Sequence, residues 1–225
     1  EITLENPSNT VLGENTVFVF TIFDNEGNPV VYFQDISNTR NENTGTVSIP
    51  VDLTFAKVDT VEVDFAVTGG TATGTGTDFT ITEGTLTFPA ESTSEEISIQ
   101  ITDDGIDEYD ETVEITLSNP INCELGTANL YTMTIIDDDP EPYVEFNDSG
   151  ESDFEDELGT IPLQVELSTI SGKDVEVFIT ISGSADENDD FDVPSSVVIS
   201  DGDLTDDYYI DVVADLVREP NESVT

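Results

Sequence analysis

The sequence predicts an all-β protein built from tandem antiparallel β-sandwiches of about seven strands each. The chain repeats itself: Glu1–Pro7 returns as Glu114–Pro120, an offset of 113 residues, and a fixed period marks one folding unit. Within a period, short segments alternate apolar and polar residues between turn-rich stretches, and no helical periodicity is present. Both observations are typical of β-strands rather than helices.

The central period contains seven candidate strands. They are Val30–Gln34, Thr46–Phe55, Thr60–Thr68, Gly84–Phe88, Glu95–Thr102, Glu111–Ser118 and Asn129–Ile136. This number of short strands favours an immunoglobulin-like sandwich, whereas a β-helix or propeller blade would repeat at a far shorter interval. The predicted core consists of the apolar members of each alternation, namely Val47, Ile49, Val51, Leu53, Val63, Phe65, Val67, Ile97, Ile99, Ile101, Val113, Ile115, Leu117, Met133 and Ile135.

The repeat register divides the chain into three predicted parts. Residues 1–28 are the C-terminal part of a preceding repeat, residues 29–139 a complete domain, and residues 140–225 the N-terminal part of a following repeat. Because both ends fall at the same place in the period, we expect a segment of a longer tandem array. The junctions Asp24–Pro29 and Asp137–Pro142 are short and contain proline, which predicts sandwiches set end to end with restricted bending.

The composition excludes several classes of partner. The formal net charge is −47, from 51 acidic and 4 basic residues with no histidine, so neither nucleic acid nor an anionic membrane surface is expected to bind. No apolar run reaches membrane-spanning length, and we expect no direct membrane insertion. Cys123 is the only cysteine, so cysteine usage does not indicate the compartment. Divalent cations or high salt must offset so much like charge.

Carboxylates of the central period fall in the predicted loops: Glu42, Asp78, the run Asp103–Glu111 and the triplet Asp137–Asp139. Calcium takes six to eight oxygen ligands, so carboxylates converging from several loops favour a calcium site. A salt-adapted surface whose acids only bind water is the plainer alternative, although the acids recur in a second period. An enzyme is disfavoured, because the usual histidine, cysteine and basic apparatus is missing. The glycine-rich stretch 69–76 lacks the lysine and spacing of a nucleotide loop.

Four ordered motifs carry a family resemblance. Gly-Thr-Asp78-Phe, Asp103-Asp104-Gly-Ile-Asp-Glu108, Leu-Ser-Asn-Pro120 and Ile-Ile-Asp137-Asp-Asp follow one another at the separations of the Calx-β family. The chain therefore resembles these calcium-binding β-sandwich modules of sodium/calcium exchangers, of an integrin and of large bacterial surface proteins. The resemblance spans residues 29–139 and, more loosely, 1–28 and 140–225.

The resemblance implies a cluster of several calcium ions at one end of the complete sandwich. The implied ligands are Glu42, Asp78, Asp103, Asp104, Ile106 through its backbone carbonyl, Glu108, Glu111, Asp137, Asp138 and Asp139. In the outer parts the matching residues are Asp24, Asp156, Asp190, Asp215, Glu219 and Glu222. Ala214 stands where Asp103 would be, so we expect the site of the third part to be weaker.

From these features we expect a non-enzymatic, calcium-rigidified repeat segment of a large extracellular cell-surface protein, an adhesin or filament stalk acting in cell adhesion. Its expected partners are calcium ions, neighbouring repeats of the array, and other copies of the chain or a host surface ligand. The alternative is a pair of regulatory calcium-sensor domains of a sodium/calcium-exchanger-like membrane protein.

Overall fold

The computed structural model describes residues 1–23, 25–147, 150, 159–186, 190–214 and 221–224. Apart from the short 3-10 helix Glu42–Thr44, the regular structure of these residues is β-strand, which confirms the all-β prediction. The strands are β1 (Ile2–Thr3), β2 (Val17–Phe18), β3 (Val30–Phe33), β4 (Ser37–Asn41), β5 (Thr46–Leu53), β6 (Val61–Gly70), β7 (Phe79–Ile81), β8 (Gly84–Phe88), β9 (Ser94–Ile101), β10 (Glu111–Ile121), β11 (Glu124–Leu125), β12 (Leu130–Ile136), β13 (Val144–Phe146), β14 (Thr160–Leu167), β15 (Val175–Phe178), β16 (Phe191–Asp192), β17 (Ser196–Ile199) and β18 (Thr205–Val212).

Strands β3 to β12 form one complete sandwich of two five-stranded sheets. One sheet has the order β4-β12-β10-β6-β8 and the other the order β11-β3-β5-β9-β7. Alternate residues point inward from both sheets, as the period of two requires. The largest fully buried side chains of this core include Phe33, Phe88, Ile49, Ile97, Ile99, Ile101, Ile115, Leu117 and Met133.

The predicted core is confirmed except at two positions on β6. Phe65 and Val67 are only half-buried. Strand β8 begins at Gly84, which lies opposite Phe65 and has no side chain to cover it. Beyond that pair β8 no longer accompanies β6, so Val67 lies at an open edge.

The structure adds three short strands that the alternation did not indicate: β4, β7 and β11. Strand β4 reads Ser-Asn-Thr-Arg-Asn and carries no apolar residue, because it is an edge strand whose side chains remain exposed or half-buried. It pairs with β12 in parallel through five residue pairs, from Ser37–Thr132 to Asn41–Ile136. The short β11 also pairs in parallel, with β3.

Strands β13 to β18 repeat much of this arrangement. They form a four-stranded sheet, β13-β14-β18-β16, and a two-stranded sheet, β15-β17. A second core of Val165, Leu167, Val197, Ile199 and Tyr208 lies between them. Near the start of the chain, β1 and β2 form an antiparallel hairpin. Tandem sandwich architecture is thereby confirmed, while the boundaries 28/29 and 139/140 stay predictions. None of the described segments forms a helix with the length and apolar character of a membrane span.

Candidate metal centre

The sheet order brings the predicted acids of the complete domain to one end of the sandwich, which we call the acidic pole. Glu42 follows β4, the loop 103–110 joins β9 to β10, and the triplet at 137–139 follows β12. Strands β4, β12 and β10 are neighbours in one sheet, and β9 and β7 are neighbours in the other. Asp78 immediately precedes β7. All these strand ends therefore meet at the same place.

Three carboxylates form the tightest cluster at the acidic pole. Ligand oxygens of Glu42, Asp104 and Asp139 lie within 4.8 Å of one another. The backbone N–H of Asp104 donates to Glu42 Oε1 at 2.9 Å, which fixes the glutamate in place. At that separation each pair of charges repels by about 3 kcal/mol at the effective dielectric of a protein surface. A cation between them would turn the repulsion into attraction.

A second group of acids continues from the same glutamate. Glu42, Asp78, Glu108, Glu111 and Asp137 line a small cavity together with Tyr109 and Ile135. Because Glu42 belongs to both groups, the cluster and the cavity form one connected acidic region. The structure thus brings together residues from four separate stretches of the sequence.

The remaining predicted ligands lie beside these two groups. Desolvation raises the pKa of Asp139, and the nearby charges of Asp137, Asp104, Asp138 and Asp103 add to the rise. Asn43 Nδ2 also donates a hydrogen bond to Asp138 Oδ2. The backbone N–H of Ile106 donates to Asp104 Oδ1 at 2.8 Å. The use of the Ile106 carbonyl as a ligand stays a prediction.

Two glutamates have strongly perturbed acidity. Burial raises the pKa of Glu42 to about 7, and the Asp104 and Asp139 charges add to the rise while the hydrogen bond from Asp104 N–H opposes it. Burial likewise raises the pKa of Glu111 to about 7, with contributions from its hydrogen bond to Asp78 and from that residue's charge. Burial and like charge both disfavour the ionised form. A bound cation would restore it.

The donor set fits calcium. Every predicted ligand offers an oxygen, from a carboxylate or a backbone carbonyl, and neither histidine nor cysteine takes part. Hard oxygen donors in this number suit calcium, which accepts irregular geometry, better than zinc or copper. In this assignment the acids would hold the ion, and the surrounding strands fix their positions.

The pKa values predict a pH dependence of calcium binding. Between pH 8 and pH 6 the affinity should fall, because Glu42 and Glu111 take up protons that calcium must displace. The ion-free protein should show the opposite trend. Its raised folded-state pKa values mean that stability is lost as pH rises from about 4.5 to about 7. The calcium-induced rise in Tm should therefore be larger at pH 8 than at pH 6, and an equal rise at both would contradict the assignment.

One predicted residue of the third part lies in a matching turn. Asp78 N–H donates to Thr73 O at 3.1 Å while Thr73 N–H donates to Asp78 Oδ2, and Asp190 makes the same two bonds with Asp186, at 2.9 and 2.6 Å. Glu222 is exposed. The predicted ligands Asp24, Asp156, Asp215 and Glu219 lie outside the described residues. Their role stays a prediction.

A contact from the third part reaches the acidic pole, and the sequence did not indicate it. Lys173 Nζ lies 2.6 Å from Asp107 Oδ1 and 3.9 Å from Asp137 Oδ2, and 5.2 Å above the ring of Tyr109. Ser171 Oγ donates to Asp107 O at 3.1 Å, and Gly172 N–H to the same oxygen at 2.9 Å. Asp107 is 5% exposed, although it stands within a run of loop acids. In the sequence, the only sign that Lys173 makes a special contact is that basic residues are so few, four in the whole chain.

The backbone of the 171–173 loop packs directly on the acidic pole. A Cβ placed on Gly172 would lie 2.7 Å from Glu108 Cγ, so a side chain at this position would push the Glu108 side chain aside. Glu108 is itself one of the predicted ligands. A substitution of Gly172 would therefore displace a site residue as well as the neighbouring loop.

Comparisons with known proteins point to the same family that the sequence motifs resemble. A sequence model of the Calx-beta domain matches residues 24–139 and again residues 137–225. Sodium/calcium exchanger 1 of Rattus norvegicus is 33% identical over 187 residues, covering 71% of this chain and 18% of that protein. Sodium/calcium exchanger Calx of Drosophila melanogaster is 29% identical over 164 residues, covering 72% and 17%. The chain spans less than a fifth of the length of these curated relatives.

Two solved structures of Calx domains are similar to this chain. The crystal structure of the apo-form Calx CBD1 domain is 31% identical and covers 50% of this chain and 99% of that chain, with a TM-score of 0.47. The crystal structure of CBD12 from CALX1.2 is 24% identical and covers 84% and 76%, also with a TM-score of 0.47.

The curated relatives correct the functional prediction. The expected adhesin or filament stalk with a role in cell adhesion is wrong, and so is the expected extracellular, cell-surface location, because the relatives are sodium/calcium exchangers. The acidic residues that carried the prediction are needed for ion binding in either setting, so they could not separate the two. The alternative, sensor domains of an exchanger-like protein, agrees better with the relatives.

Proposed function

The chain belongs to the Calx-beta domain family, and from that premise we propose that it is a non-enzymatic calcium sensor that regulates a sodium/calcium-exchanger-like membrane protein from the cytoplasmic side. Calcium as the cofactor is confirmed by the family and by the acidic cluster of Glu42, Asp104 and Asp139. Similarity to exchangers over 71% of the chain supports the setting. The two domains would occupy residues 29–139 and 140–225.

The observation that carries the proposal is the double use of the loop 103–110. Its acids Asp104 and Glu108 face the metal centre, while Asp107 in the same loop holds Ser171 and Lys173 of the following domain. An ion that repositions or neutralises this loop must therefore change the surface on which the next domain rests. A sensor needs such a connection between occupancy and domain arrangement.

The competing charges support the same mechanism. Lys173 lies near enough to lower the pKa of Glu108, against the larger effects of burial and of the neighbouring Asp78, Asp104 and Asp137. The ammonium group thus already offsets part of the negative charge at the acidic pole. When calcium binds beside it, the two cations share the same carboxylates, and the balance between them sets the strength of the domain contact.

The calcium affinity tests the proposed setting. Cytosolic sensors bind calcium with Kd of about 10⁻⁷ to 10⁻⁵ M, whereas extracellular modules bind at about 10⁻⁴ to 10⁻³ M. We expect calorimetric titration of the chain at pH 7.4 to give at least one site in the sensor range. Sites no tighter than millimolar would contradict a regulatory role. The heat of injecting calcium into the same buffer without protein serves as the blank.

The two sites should contribute unequally. Asp104→Ala should remove more bound calcium than Asp190→Ala, because Asp104 lies in the described cluster whereas the third part has Ala214 in place of one acid. The number of ions per chain, counted after equilibrium dialysis, decides this. Glu62→Ala, on β6 away from the acidic pole, is the matched control. Equal losses from Asp104→Ala and Asp190→Ala would contradict the residue assignments.

A further inference from the structure

The pair Asp104–Gly105 lies in the loop that joins β9 to β10. Aspartate followed by glycine occurs twice in the chain, here and at Asp201–Gly202. In such a pair the backbone nitrogen of the glycine can attack the aspartate side chain, because glycine has no Cβ to hinder the approach. Both pairs have the same intrinsic chemistry, so the structure around each pair decides how fast the attack occurs.

The Asp104 carboxyl group is folded over the Gly105 nitrogen. Gly105 N–H donates to Asp104 Oδ1 at 2.6 Å, and Ile106 N–H donates to the same oxygen at 2.8 Å. A reaction between two groups of one chain is fast when the reacting atoms are held about 3–3.5 Å apart and aligned. The short contact with Oδ1 keeps the Gly105 nitrogen beside Cγ, the carbon that carries this oxygen.

The surroundings of Gly105 leave room for the loop to change. Asp103, Asp104 and Gly105 are exposed, so water reaches the bond between Asp104 and Gly105. A Cβ placed on Gly105 would meet no atom of the described residues within 4 Å. Neither close packing nor exclusion of water therefore opposes a rearrangement of the backbone at this place.

The second pair, Asp201–Gly202, is held differently. Gly202 N–H donates to Ser171 O at 2.8 Å, in a turn where φ of Gly202 is 77°. The N–H of Asp201 donates to Asp174 Oδ1 at 3.0 Å. The Gly202 nitrogen is thus directed at the carbonyl of a neighbouring loop rather than at the Asp201 carboxyl group. This pair serves as an internal control of the same chemistry in a different geometry.

We propose that Asp104–Gly105 is a site of spontaneous isomerisation to isoaspartate, and that calcium at the acidic pole suppresses the reaction. Gly105 N forms a bond with Asp104 Cγ, and one carboxyl oxygen leaves as water with the amide proton and a proton from solvent. A water molecule then adds to the main-chain carbonyl carbon of the resulting imide ring, and the bond from that carbon to the ring nitrogen breaks. One proton of this water passes to the nitrogen and the other to solvent. Gly105 is then joined to Cγ, and a free carboxylate remains on Cα.

The product would not fit the metal centre. Isomerisation adds one atom to the main chain and shortens the side chain by one, so the Asp104 carboxylate would no longer lie with those of Glu42 and Asp139. The turn would also be lost, because the carbon that carries the acceptor of Gly105 and Ile106 becomes part of the main chain. An ion held by Asp104 would retain the oxygen that must leave. The isomerisation itself is independent of the proposed regulatory function, whereas its suppression by calcium rests on the metal centre.

Peptide mapping of the full chain after incubation at neutral pH tests the reaction. Electron-transfer fragmentation in a mass spectrometer distinguishes aspartate from isoaspartate, which have equal mass. In the folded, chelated chain we expect isoaspartate to accumulate several-fold faster at Asp104 than at Asp201, whereas in urea the two should react at similar rates. Calcium at 100 times its Kd leaves about 1% of the sites free, so it should slow the reaction of Asp104 by up to about 100-fold and leave that of Asp201 unchanged.

Gly105→Ala is the matched variant. It keeps every acid and its methyl group meets open space, so bound calcium and Tm should change little while isomerisation slows by roughly tenfold. The isomerised chain, separated by chromatography, should bind fewer calcium ions than the unreacted chain. Equal rates at Asp104 and Asp201 in the folded, chelated chain would overturn the proposal. A rate at Asp104 that calcium does not alter would overturn the suppression alone, so a failure of the metal assignment is distinguishable from a failure of the isomerisation.

Discussion

Adding millimolar calcium to the chelated protein should raise the Tm of the main thermal transition by about 10–20 °C. Ligand at 100 times its Kd stabilises a folded state by about 2.7 kcal/mol, and 1 kcal/mol shifts the Tm of a domain of this size by about 4–8 °C. The repulsion among Glu42, Asp104 and Asp139, whose oxygens lie within 4.8 Å, makes the ion-free state the weaker one. Calorimetry with chelator and with calcium measures the difference.

Glu42→Gln should have opposite effects on the Tm of the ion-free and the calcium-bound protein. Without calcium the substitution should raise Tm, because it removes a buried charge whose ionised form is already disfavoured. With calcium it should lower Tm, because a ligand is lost from the middle of both acidic groups. Glu62→Gln, at the start of β6 and away from the acidic pole, serves as the control and should change neither value appreciably. A Tm that calcium does not alter, or two variants that behave alike, would contradict the site.

Lys173→Gln should loosen the joint between the two domains. Asp107 is 5% exposed and has Lys173 as its charged partner at 2.6 Å, and breaking such a buried pair is strongly destabilising. After allowance for the partial exposure of the lysine, we expect the domain contact to lose about 2 kcal/mol. Small-angle scattering should then give a broader distance distribution. Lys57→Gln, in the equivalent loop at the opposite end of the complete domain, is the matched control.

Calcium should act on the same joint. In the unmodified chain, added calcium should narrow the distance distribution, because an ion held by the triplet 137–139 fixes the start of the linker to the loop at 103–110. Asp138→Ala should reduce that change. Maximum dimensions that are identical with calcium and with chelator would show that the joint is stiff for reasons unrelated to the ion.

The sequence predicted most of the complete domain because its strands alternate cleanly. Val47 to Leu53 on β5 and Ile97 to Ile101 on β9 are buried as the pattern requires. Strand β4 could not be found in this way, because an edge strand of Ser, Asn, Thr and Arg has no apolar face. Its parallel pairing with β12 depends on the path of the chain between sheets, which side-chain periodicity does not describe.

The acidic residues of the candidate site could be predicted from the sequence, whereas the contacts that the following domain makes with them could not. Glu42 and Asp104 could be named from ordered motifs, and the structure brings them together with Asp139. The contact of Asp107 with Lys173 could not be predicted from the sequence, because an aspartate within an acidic run gives no sign that it is buried. The extracellular prediction was wrong for a related reason: an acidic cluster that suits an ion has the same chemistry inside and outside a cell.

The pairing of β12 has a mechanical consequence. This strand ends at Ile136, directly before the triplet that leads to the next domain, and it lies between β10 and β4. Tension applied to the linker therefore pulls along β12 and loads the pairs with both neighbours together in shear, since ladder hydrogen bonds cross between strands. The ladder hydrogen bonds of β12 therefore cannot break one after another from one end. A displacement of the following domain is consequently transmitted to β4 and to Glu42 beyond it, before the complete domain yields.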